Sequence, residues 1–189
     1  MTGEELYRRY LEGDKQAFDE IIRLYHDSLI YFLYGITKNY EDAEDSAIDA
    51  FAALLVNKHR FSFRSSLKSY LFSIGRHKAV EIVRKRGRFG KQEELNPGII
   101  DNSPSPEEAV IKDSEKQMLK NALKEINQNY RLVLHLVYFE NMTIAEAATV
   151  MGKSKKYIEN CLYRGKVSVK QILEKNYGYS PSEVAKITD

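Results

Sequence analysis

The segment 143–164, TIAEAATVMGKSKKYIENCLYR, constrains the fold more than any other stretch, because it predicts two short helices separated by a tight turn. Thr143 and Glu146 have the spacing of a capping box, in which both side chains satisfy free backbone amides at a helix start. Gly152 follows where the chain must leave this helix, in a conformation with positive φ that glycine adopts without strain. Ser154 is then placed to cap the second helix.

The second helix of this unit combines an apolar face with a basic face. Its apolar positions recur at helical spacing and are Ile158, Leu162, Gly165, Val169, Ile172 and Leu173. The opposite face carries Lys155, Lys156, Tyr157, Asn160, Tyr163, Arg164 and Lys166. Two short helices with a basic second helix are typical of a helix-turn-helix, whose second helix enters the major groove of DNA. An ordinary helical hairpin with a solvated face stays an alternative, because many sequences satisfy this motif.

The rest of the chain also shows helical periodicity. Apolar residues recur at helical spacing from Phe18 to Ile36 and again from Ala47 to Leu55. No alternating apolar run is bounded by hairpin turns, so nothing in the sequence indicates a β-strand. We therefore expect an all-α fold.

The periodicity breaks between Gly87 and Asp113, where glycine and proline are frequent and most residues are polar. This break predicts a flexible linker that is longer than a compact domain usually needs. Helices are expected at 106–126 and 129–139, and Ser180-Pro181 favours a last short helix. We expect two helical domains, the C-terminal one a helix-turn-helix. The N-terminal domain is expected at 1–90, the linker at 91–113, and the C-terminal domain at 114–175. Residues 176–189 form a tail of unknown role.

The composition argues against several classes of protein. The single cysteine, Cys161, rules out a disulfide within the chain and fits a reducing compartment, so we interpret it as a small packing residue. Four scattered histidines without a cysteine pair argue against a zinc site, and we expect neither a metal nor a cofactor. No apolar run approaches the roughly 18–20 residues that span a bilayer, and the N-terminus lacks a signal-peptide pattern. A cytoplasmic protein that does not insert into membranes is expected.

The net charge of +2 hides a strong asymmetry along the chain. Residues 1–57 hold twelve acids against five Lys and Arg, whereas residues 58–91 hold eleven Lys and Arg against the single acid Glu81. Residues 116–189 hold twelve Lys and Arg against seven acids. Such blocks indicate one surface for a basic or protein partner and two separate surfaces for a polyanion.

A helix over 67–86 is predicted to carry an exposed stripe of aromatic and basic residues. Its apolar side is expected to hold Leu67, Leu71, Phe72, Ile74, Ala79, Ile82 and Val83. Opposite them fall residues spaced by seven and their neighbours, namely Tyr70, His77, Arg84, Arg76 and Glu81. This stripe suits phosphate contacts combined with stacking on an exposed base. A soluble helix with a basic end is the alternative.

An acidic patch, EDAEDSAID at 41–49, permits two further interpretations. Glu41, Asp45 and Asp49 are four residues apart and share one helix face, as in a metal or acid–base site. The patch has no histidine companion and no second acidic motif with metal-ligand spacing. We therefore favour a solvated face that docks a basic partner over a metal-dependent nuclease that uses Asp45 and Asp49.

From Ala17 to Leu173, apart from the linker, the chain resembles an extracytoplasmic-function sigma factor, the smallest type of bacterial RNA polymerase sigma subunit. AFDEIIRLY at 17–25 and DAEDSAIDAF at 42–51 are similar to the family's first conserved helices. LKSYLFSIGRHKAVEIVRKR at 67–86 is similar to its promoter-melting helix, and residues 130–166 are similar to its fourth conserved region. The order and spacing of these landmarks carry the resemblance.

The resemblance implies a role in transcription initiation without catalytic residues, with core RNA polymerase, promoter DNA and an anti-sigma factor as partners. It implies that the clamp helices of the polymerase β′ subunit are bound by Asp45, Ile48, Asp49 and Phe51. It assigns −10 recognition and melting to His59, Arg60, Arg64, Tyr70, Arg76, His77 and Arg84. It implies that the C-terminal domain contacts the β flap and reads the −35 element with Lys155, Lys156, Tyr157, Asn160 and Arg164.

The sequence departs from the family pattern at several of these positions. Tyr70 stands in place of the usual tryptophan, His77 in place of asparagine, Ile48 in place of glutamine, and Glu159 in place of lysine. A stand-alone helix-turn-helix repressor or activator, expected as a homodimer on a palindromic site, is the main alternative. That alternative accounts for the helix-turn-helix but leaves the acidic and melting motifs without a purpose.

Overall fold

The computed structural model describes residues 1–89 and 114–178. Throughout these two ranges the regular structure is helical, which confirms the expected all-α fold. The elements in chain order are α1 (Gly3–Leu11), α2 (Lys15–Thr37), α3 (Tyr40–Val56), α4 (Leu67–Phe89), α5 (Ser114–Glu125), α6 (Gln128–Leu134), a π-helical turn (His135–Phe139), α7 (Ile144–Met151) and α8 (Lys155–Tyr177). None of the described helices is long and apolar enough to cross a membrane. The predicted linker and the helix predicted at Ser180 lie outside the described residues.

The first four helices pack around a core formed mainly by α2, α3 and α4. Asp14 and Asn39 cap α2 and α3 by accepting hydrogen bonds from backbone amides of the first turn. Gly75 lies where a Cβ atom would meet Leu29 Cδ1 at 3.1 Å, so the glycine lets α4 approach α2 closely. The fully buried side chains of this core include Ile21, Leu29, Leu33, Leu54, Leu71 and Phe72.

In the C-terminal half, α5, α6 and α8 enclose a second, smaller core. A Cβ atom on Gly165 would lie 3.0 Å from Leu134 Cδ1, so glycine allows α8 to lie directly against α6. Cys161 is buried with a free thiol, which confirms its interpretation as a packing residue. The buried members of the second core are Ala122, Ile126, Leu134, Val169 and Leu173.

α7, the turn and α8 form the predicted helix-turn-helix. Thr143 Oγ1 accepts from the Glu146 amide at 3.2 Å, and Glu146 Oε2 accepts from the Thr143 amide at 2.9 Å, which confirms the capping box. Gly152 has the expected positive φ, at 60°. Ser154 Oγ accepts from the Tyr157 amide at 3.2 Å and caps α8.

The helix predicted over 129–139 differs from the structure in its last residues. α6 ends at Leu134, and the chain continues as a π-helical turn in which the Glu140 amide donates to the His135 carbonyl at 3.1 Å. The wider turn brings the Glu140 carboxylate within 3.2 Å of His135 Nε2. Turns of this type are frequent at functional sites, and hydrophobic periodicity alone does not distinguish them from an α-helix.

The two halves of the molecule are packed against each other, with α7 on α4 and α6 on α2. Gln128 Nε2 donates to the Gly35 carbonyl at 2.8 Å. A Cβ atom on Gly35 would lie only 2.8 Å from Leu132 Cδ2, so the two helices meet closely there. Residues of the C-terminal half join the main core, among them Leu132, Leu136, Ala147 and Met151. No sequence pattern indicated this shared core.

Candidate nucleic-acid interface

α8 presents an exposed and mainly basic face. Its inner face is fixed by Ile158, Cys161 and Gly165, which are buried against the rest of the molecule. Four of the five residues predicted to contact −35 DNA are exposed: Lys155, Lys156, Asn160 and Arg164. Glu159 is exposed among them. The geometry of a helix-turn-helix with its second helix free to enter a groove is therefore present.

Tyr157, the fifth of these residues, is half-buried near Arg76 of α4. Burial raises the pKa of Tyr157, and the nearby positive charge of Arg76 opposes that rise. Burial and the neighbouring charge of Arg84 lower the pKa of Arg76. A Cβ atom on Gly152 would lie 3.8 Å from Arg76 Nη1. Arg76, predicted to contact −10 DNA, therefore lies against the turn of the helix-turn-helix.

The predicted stripe on α4 is only partly exposed. His77 and Arg84 are exposed, but Tyr70 is half-buried because its ring packs on Phe61, with 5.2 Å between the ring centroids. The prediction that Tyr70 belongs to an exposed stripe is therefore only partly met, since the loop before α4 folds back over that side of the helix. Val83 was expected on the apolar side and is 39% exposed, because the described side chains of α4 beyond Ala79 leave the core.

The loop 57–66 between α3 and α4 carries exposed basic side chains next to a buried aromatic side chain. His59, Arg60 and Arg64 are exposed, whereas Phe61 is buried beneath them. Phe63 is half-buried and has a left-handed φ of 57°, which bulky residues rarely adopt. The loop and the exposed part of α4 thus form a second basic surface, which belongs to the N-terminal half of the molecule.

The acidic face of α3 is exposed at three of the four predicted positions. Asp45, Ile48 and Asp49 face solvent, and Ile48 is 58% exposed despite its apolar side chain. Phe51 is only 6% exposed, because it shares the inner face of α3 with Ala47. The prediction that Phe51 contacts a partner is therefore corrected: its side chain belongs to the core.

Asp42, a member of the acidic patch at 41–49, links α3 to α4. Arg86 Nη1 lies 2.6 Å from Asp42 Oδ2, and Nη2 donates to Oδ1 at 2.7 Å. Burial raises the pKa of Asp42, and the charge of Arg86 opposes that rise. Lys78 Nζ, 3.3 Å from Asp49 Oδ2, makes a second link between these helices. Among the described residues, no group of His, Cys, Asp and Glu is arranged to hold a metal ion.

Two polar contacts join the loop and α4 to the C-terminal half of the molecule. Ser66 Oγ donates to Glu146 Oε1 at 2.6 Å, so the capping carboxylate of α7 is shared with the other half of the molecule. Burial raises the pKa of Glu146, but hydrogen bonds from Ser66 and Thr143 outweigh this effect and hold the pKa below its usual range. Lys68 Nζ donates to the Glu140 carbonyl at 3.0 Å and pairs with its carboxylate.

The similarity to known protein families follows the same two halves. Residues 21–89 match the family model of sigma-70 region 2, and residues 116–169 match that of sigma-70 region 4. The chain is 23% identical over 164 residues to the RNA polymerase sigma factor YlaC of Bacillus subtilis (strain 168), covering 86% of this chain and 95% of that protein. It is 27% identical over 158 residues to the ECF RNA polymerase sigma factor SigM of the same organism, covering 82% and 94%.

The fold is also that of a solved sigma factor. The co-crystal structure of the sigma factor RpoE in complex with the anti-sigma factor NepR from Bartonella quintana superposes with a TM-score of 0.66 at 23% identity, covering 84% of this chain and 97% of that chain. Regions 2 and 4 occur here in the order and spacing that the sequence motifs predicted. The chain belongs to the sigma-70 family and is a sigma factor of the extracytoplasmic-function type, a class that serves promoter recognition in transcription initiation.

Proposed function

We propose that this chain binds core RNA polymerase, directs the recognition and melting of promoters, and contributes no catalytic residue. The observation that carries the proposal is the presence of two basic surfaces, on α8 and on the loop 57–66 with α4, in two different halves of one chain. A repressor needs a single surface for duplex DNA, whereas a sigma factor reads two promoter elements. The second surface is therefore the feature that favours a sigma factor.

The −35 element is assigned to the exposed face of α8. Residues on the exposed face of a recognition helix reach base edges in the major groove. Asn160 suits a bidentate contact to adenine, and Arg164 suits a bidentate contact to guanine. Lys155 and Lys156, at the start of the helix, suit phosphates, which position the helix without reading sequence. Tyr157 is assigned to the edge of this surface because it is half-buried.

The −10 element and its melting are assigned to the loop 57–66 and to α4. Extruding a base from the duplex costs only a few kcal/mol, and the extruded base can be read on its edge and by stacking. Tyr70, whose ring is anchored on Phe61, is positioned for stacking. The cationic and imidazole groups that would contact the backbone or the extruded base are His59, Arg60, Arg64, Arg76, His77 and Arg84.

Contacts with the polymerase are assigned to two exposed patches. Asp45, Ile48 and Asp49 combine negative charge with an apolar side chain, which suits a partner surface of basic and apolar residues, and we assign this patch to the clamp helices of β′. The β flap is assigned to the C-terminal half, where Tyr138 and Phe139 are 47% and 61% exposed. Exposed aromatic side chains of this type are enriched at protein interfaces.

The domain boundaries proposed are 1–90, 91–113, 114–175 and 176–189, with region 2 in the first and region 4 in the third. We also propose a cytoplasmic location, where core polymerase and promoter DNA are found. An anti-sigma factor is proposed as the regulator, and the similar sigma factor RpoE has been crystallised with one.

Transcription of a genomic fragment library by core polymerase, with and without this protein, tests the proposed function. We expect new transcripts whose upstream DNA shares two elements, and we expect the free protein to be a monomer by size exclusion. Absence of any protein-dependent transcript, together with a homodimer that binds palindromic DNA without polymerase, would instead establish the repressor alternative.

A further inference from the structure

α1 lies outside both segments matched by the family models, and none of the roles proposed for this chain falls on it. Its side chains nevertheless contact Lys58, Phe61 and Phe63 of the loop 57–66, and Leu67 directly after the loop. We propose that α1 is a positioning element that holds this loop in the shape that receives an extruded base. The proposal rests on the proposed function of the loop in −10 melting. It is carried by Glu4, Tyr7 and Arg8, which share one helix face because they are three and four residues apart.

Tyr7 holds the beginning of the loop. Its side chain is fully buried, and its hydroxyl lies 2.9 Å from the Lys58 carbonyl and 3.2 Å from the Leu54 carbonyl. Burial raises the pKa of Tyr7 to about 12, so the hydroxyl keeps the proton that it donates. The ring also packs edge-on against Phe61, with centroids 5.6 Å apart. One side chain therefore fixes both the end of α3 and the first turn of the loop.

Arg8 covers the middle of the loop. Its guanidinium carbon lies 5.0 Å from the ring centroid of Phe63, the residue with the left-handed φ of 57°. A bulky residue keeps such a conformation only when its surroundings hold it there. Phe61 supports the Phe63 ring, with centroids 4.7 Å apart, and Arg8 stacks on it from α1. The pair of contacts explains how the chain maintains an unfavourable backbone conformation in the centre of a functional loop.

Glu4 holds the end of the loop. Its Oε1 accepts a hydrogen bond at 2.6 Å from the amide of Leu67, the first residue of α4. That amide has no partner within the helix, and a carboxylate is favoured at a helix N-terminus. The direction in which α4 leaves the loop is thus fixed by α1.

α1 is anchored independently of the loop. Thr2 and Glu5 form a capping box at its start, and Gly3 is pressed against Tyr25 of α2, where an added Cβ atom would lie 2.1 Å from the Tyr25 hydroxyl oxygen. A helix that is fixed on α2 and contacts the beginning, the middle and the end of a loop restricts the positions of its side chains. Binding is strengthened when a site is restricted in this way before the ligand arrives.

The test uses holoenzyme assembled from core polymerase and this protein, on a promoter taken from the library experiment. The readouts are permanganate reactivity of −10 thymines and affinity for a fork-junction DNA with a single-stranded nontemplate −10 segment. Arg8 is exposed, so Arg8→Gln is expected to fold normally and to weaken fork-junction binding about three- to tenfold, comparable to the loss of one exposed cation–π contact or hydrogen bond. Arg8→Lys is expected to restore most of the affinity, because it keeps a cation over Phe63.

Matched variants separate positioning from stability. Lys15→Gln removes the same charge at the start of α2 and is expected to bind like the unmodified protein. Glu5→Ala weakens the cap of α1 without touching the loop, whereas Tyr7→Phe removes only the hydroxyl and is expected to reduce opening by about five- to tenfold.

The proposal is overturned if Arg8→Gln and Tyr7→Phe open promoters as the unmodified protein does. It is also overturned if the loss of promoter opening is proportional to the loss of thermal stability in every variant, Glu5→Ala included. If the unmodified protein opens no promoter at all, the proposed function of the loop fails and this inference fails with it.

Discussion

Lys68 of α4 and Glu140, which follows the π-helical turn, form an ion pair that joins the two halves of the molecule. The Glu140 side chain is only 7% exposed and also lies 3.2 Å from His135 Nε2. Burial raises the pKa of Glu140, but the nearby His135 and Lys68 outweigh burial and hold the pKa below its usual value. The carboxylate is therefore ionised inside the contact, and removal of a partner leaves a buried charge that is poorly compensated.

We expect Lys68→Met to lower the free energy of unfolding by about 2 kcal/mol, less than for a fully buried pair because Lys68 is partly exposed. Lys85→Met provides the matched control, since the Lys85–Glu81 pair lies on the surface of the same helix, and it should change stability by less than about 0.5 kcal/mol. Urea unfolding measures both. Equal effects of the two substitutions would contradict a structural role for the Lys68–Glu140 pair.

The stability contributed by Glu140 should depend on pH. Its pKa is lower in the folded state than the ordinary 4.5, so its contribution is complete above that value and is lost as the pH falls through the folded pKa. The stability difference between the unmodified protein and Glu140→Gln is therefore expected to shrink as the pH is lowered from 7 to about 3.5. Urea midpoints at each pH provide the measurement. A difference that stays constant, or grows on acidification, would be incompatible with an ionised Glu140.

Reversal of charge on α3 should weaken the association with polymerase. Asp45→Arg is expected to lower the affinity for core polymerase, mainly through a slower association rate and a changed salt dependence. Asp45 is exposed, so the helical circular dichroism signal should be unchanged. Asp27→Arg, the same reversal at an exposed position of α2, is the control and should bind normally. Unchanged affinity of Asp45→Arg across a salt titration would remove the clamp assignment.

Substitutions on α8 should separate phosphate contacts from base contacts. Lys156→Ala is expected to weaken binding to all sequences and to reduce the salt slope by about one unit, whereas Arg164→Ala should cost about 1–3 kcal/mol and relax specificity. Glu159→Lys should tighten binding and blur specificity, because it removes a charge that repels phosphate. Lys170→Ala, further along α8, serves as the control. Weaker binding by Glu159→Lys would instead indicate that Glu159 accepts a hydrogen bond from a cytosine amine.

His77 offers the cleaner test of strand opening, because Tyr70 also supports Phe61. His77 is exposed, so His77→Ala should leave stability and closed-promoter binding nearly intact. If it contacts bases only after they leave the stack, opening should fall about five- to a hundredfold, the range for one stacking contact. Permanganate reactivity beside a gel shift of the same complexes measures this, with Lys85→Ala as the control. Equal losses of closed-promoter binding and of strand opening would mean that His77 contacts duplex DNA.

The helix-turn-helix was predictable in detail because its determinants are local. Thr143, Glu146, Gly152 and Ser154 act within a few residues of their own positions, and each has the backbone contact that its side chain favours. Phe51 shows the same advantage of the local pattern over the family resemblance. The periodicity of α3 placed it on the inner face, while the resemblance placed it at a partner, and the local physical pattern was correct.

The remaining features depend on contacts between distant parts of the chain. Ser66 and Glu146 are 80 residues apart, and Asp42 and Arg86 are 44 apart, so no helical period relates them. Tyr70 is half-buried because the preceding loop folds over it, which a helical projection of α4 alone does not include. The contact of α7 with α4 is also a contact between distant parts of the chain. A linker in the sequence indicates that two domains are connected, but it does not indicate whether the domains are in contact.

That contact has a consequence for affinity. Elements centred at −35 and −10 are about 25 base pairs apart, or about 85 Å along the duplex, so α8 and α4 cannot occupy them while α7 rests on α4. Promoter binding then requires the α7–α4 contact to open, and the apparent dissociation constant rises with the free energy that this opening costs. Fold stability and promoter affinity would change in opposite directions at this interface. A substitution such as Lys68→Met, harmful to the isolated protein, would make the promoter easier to reach.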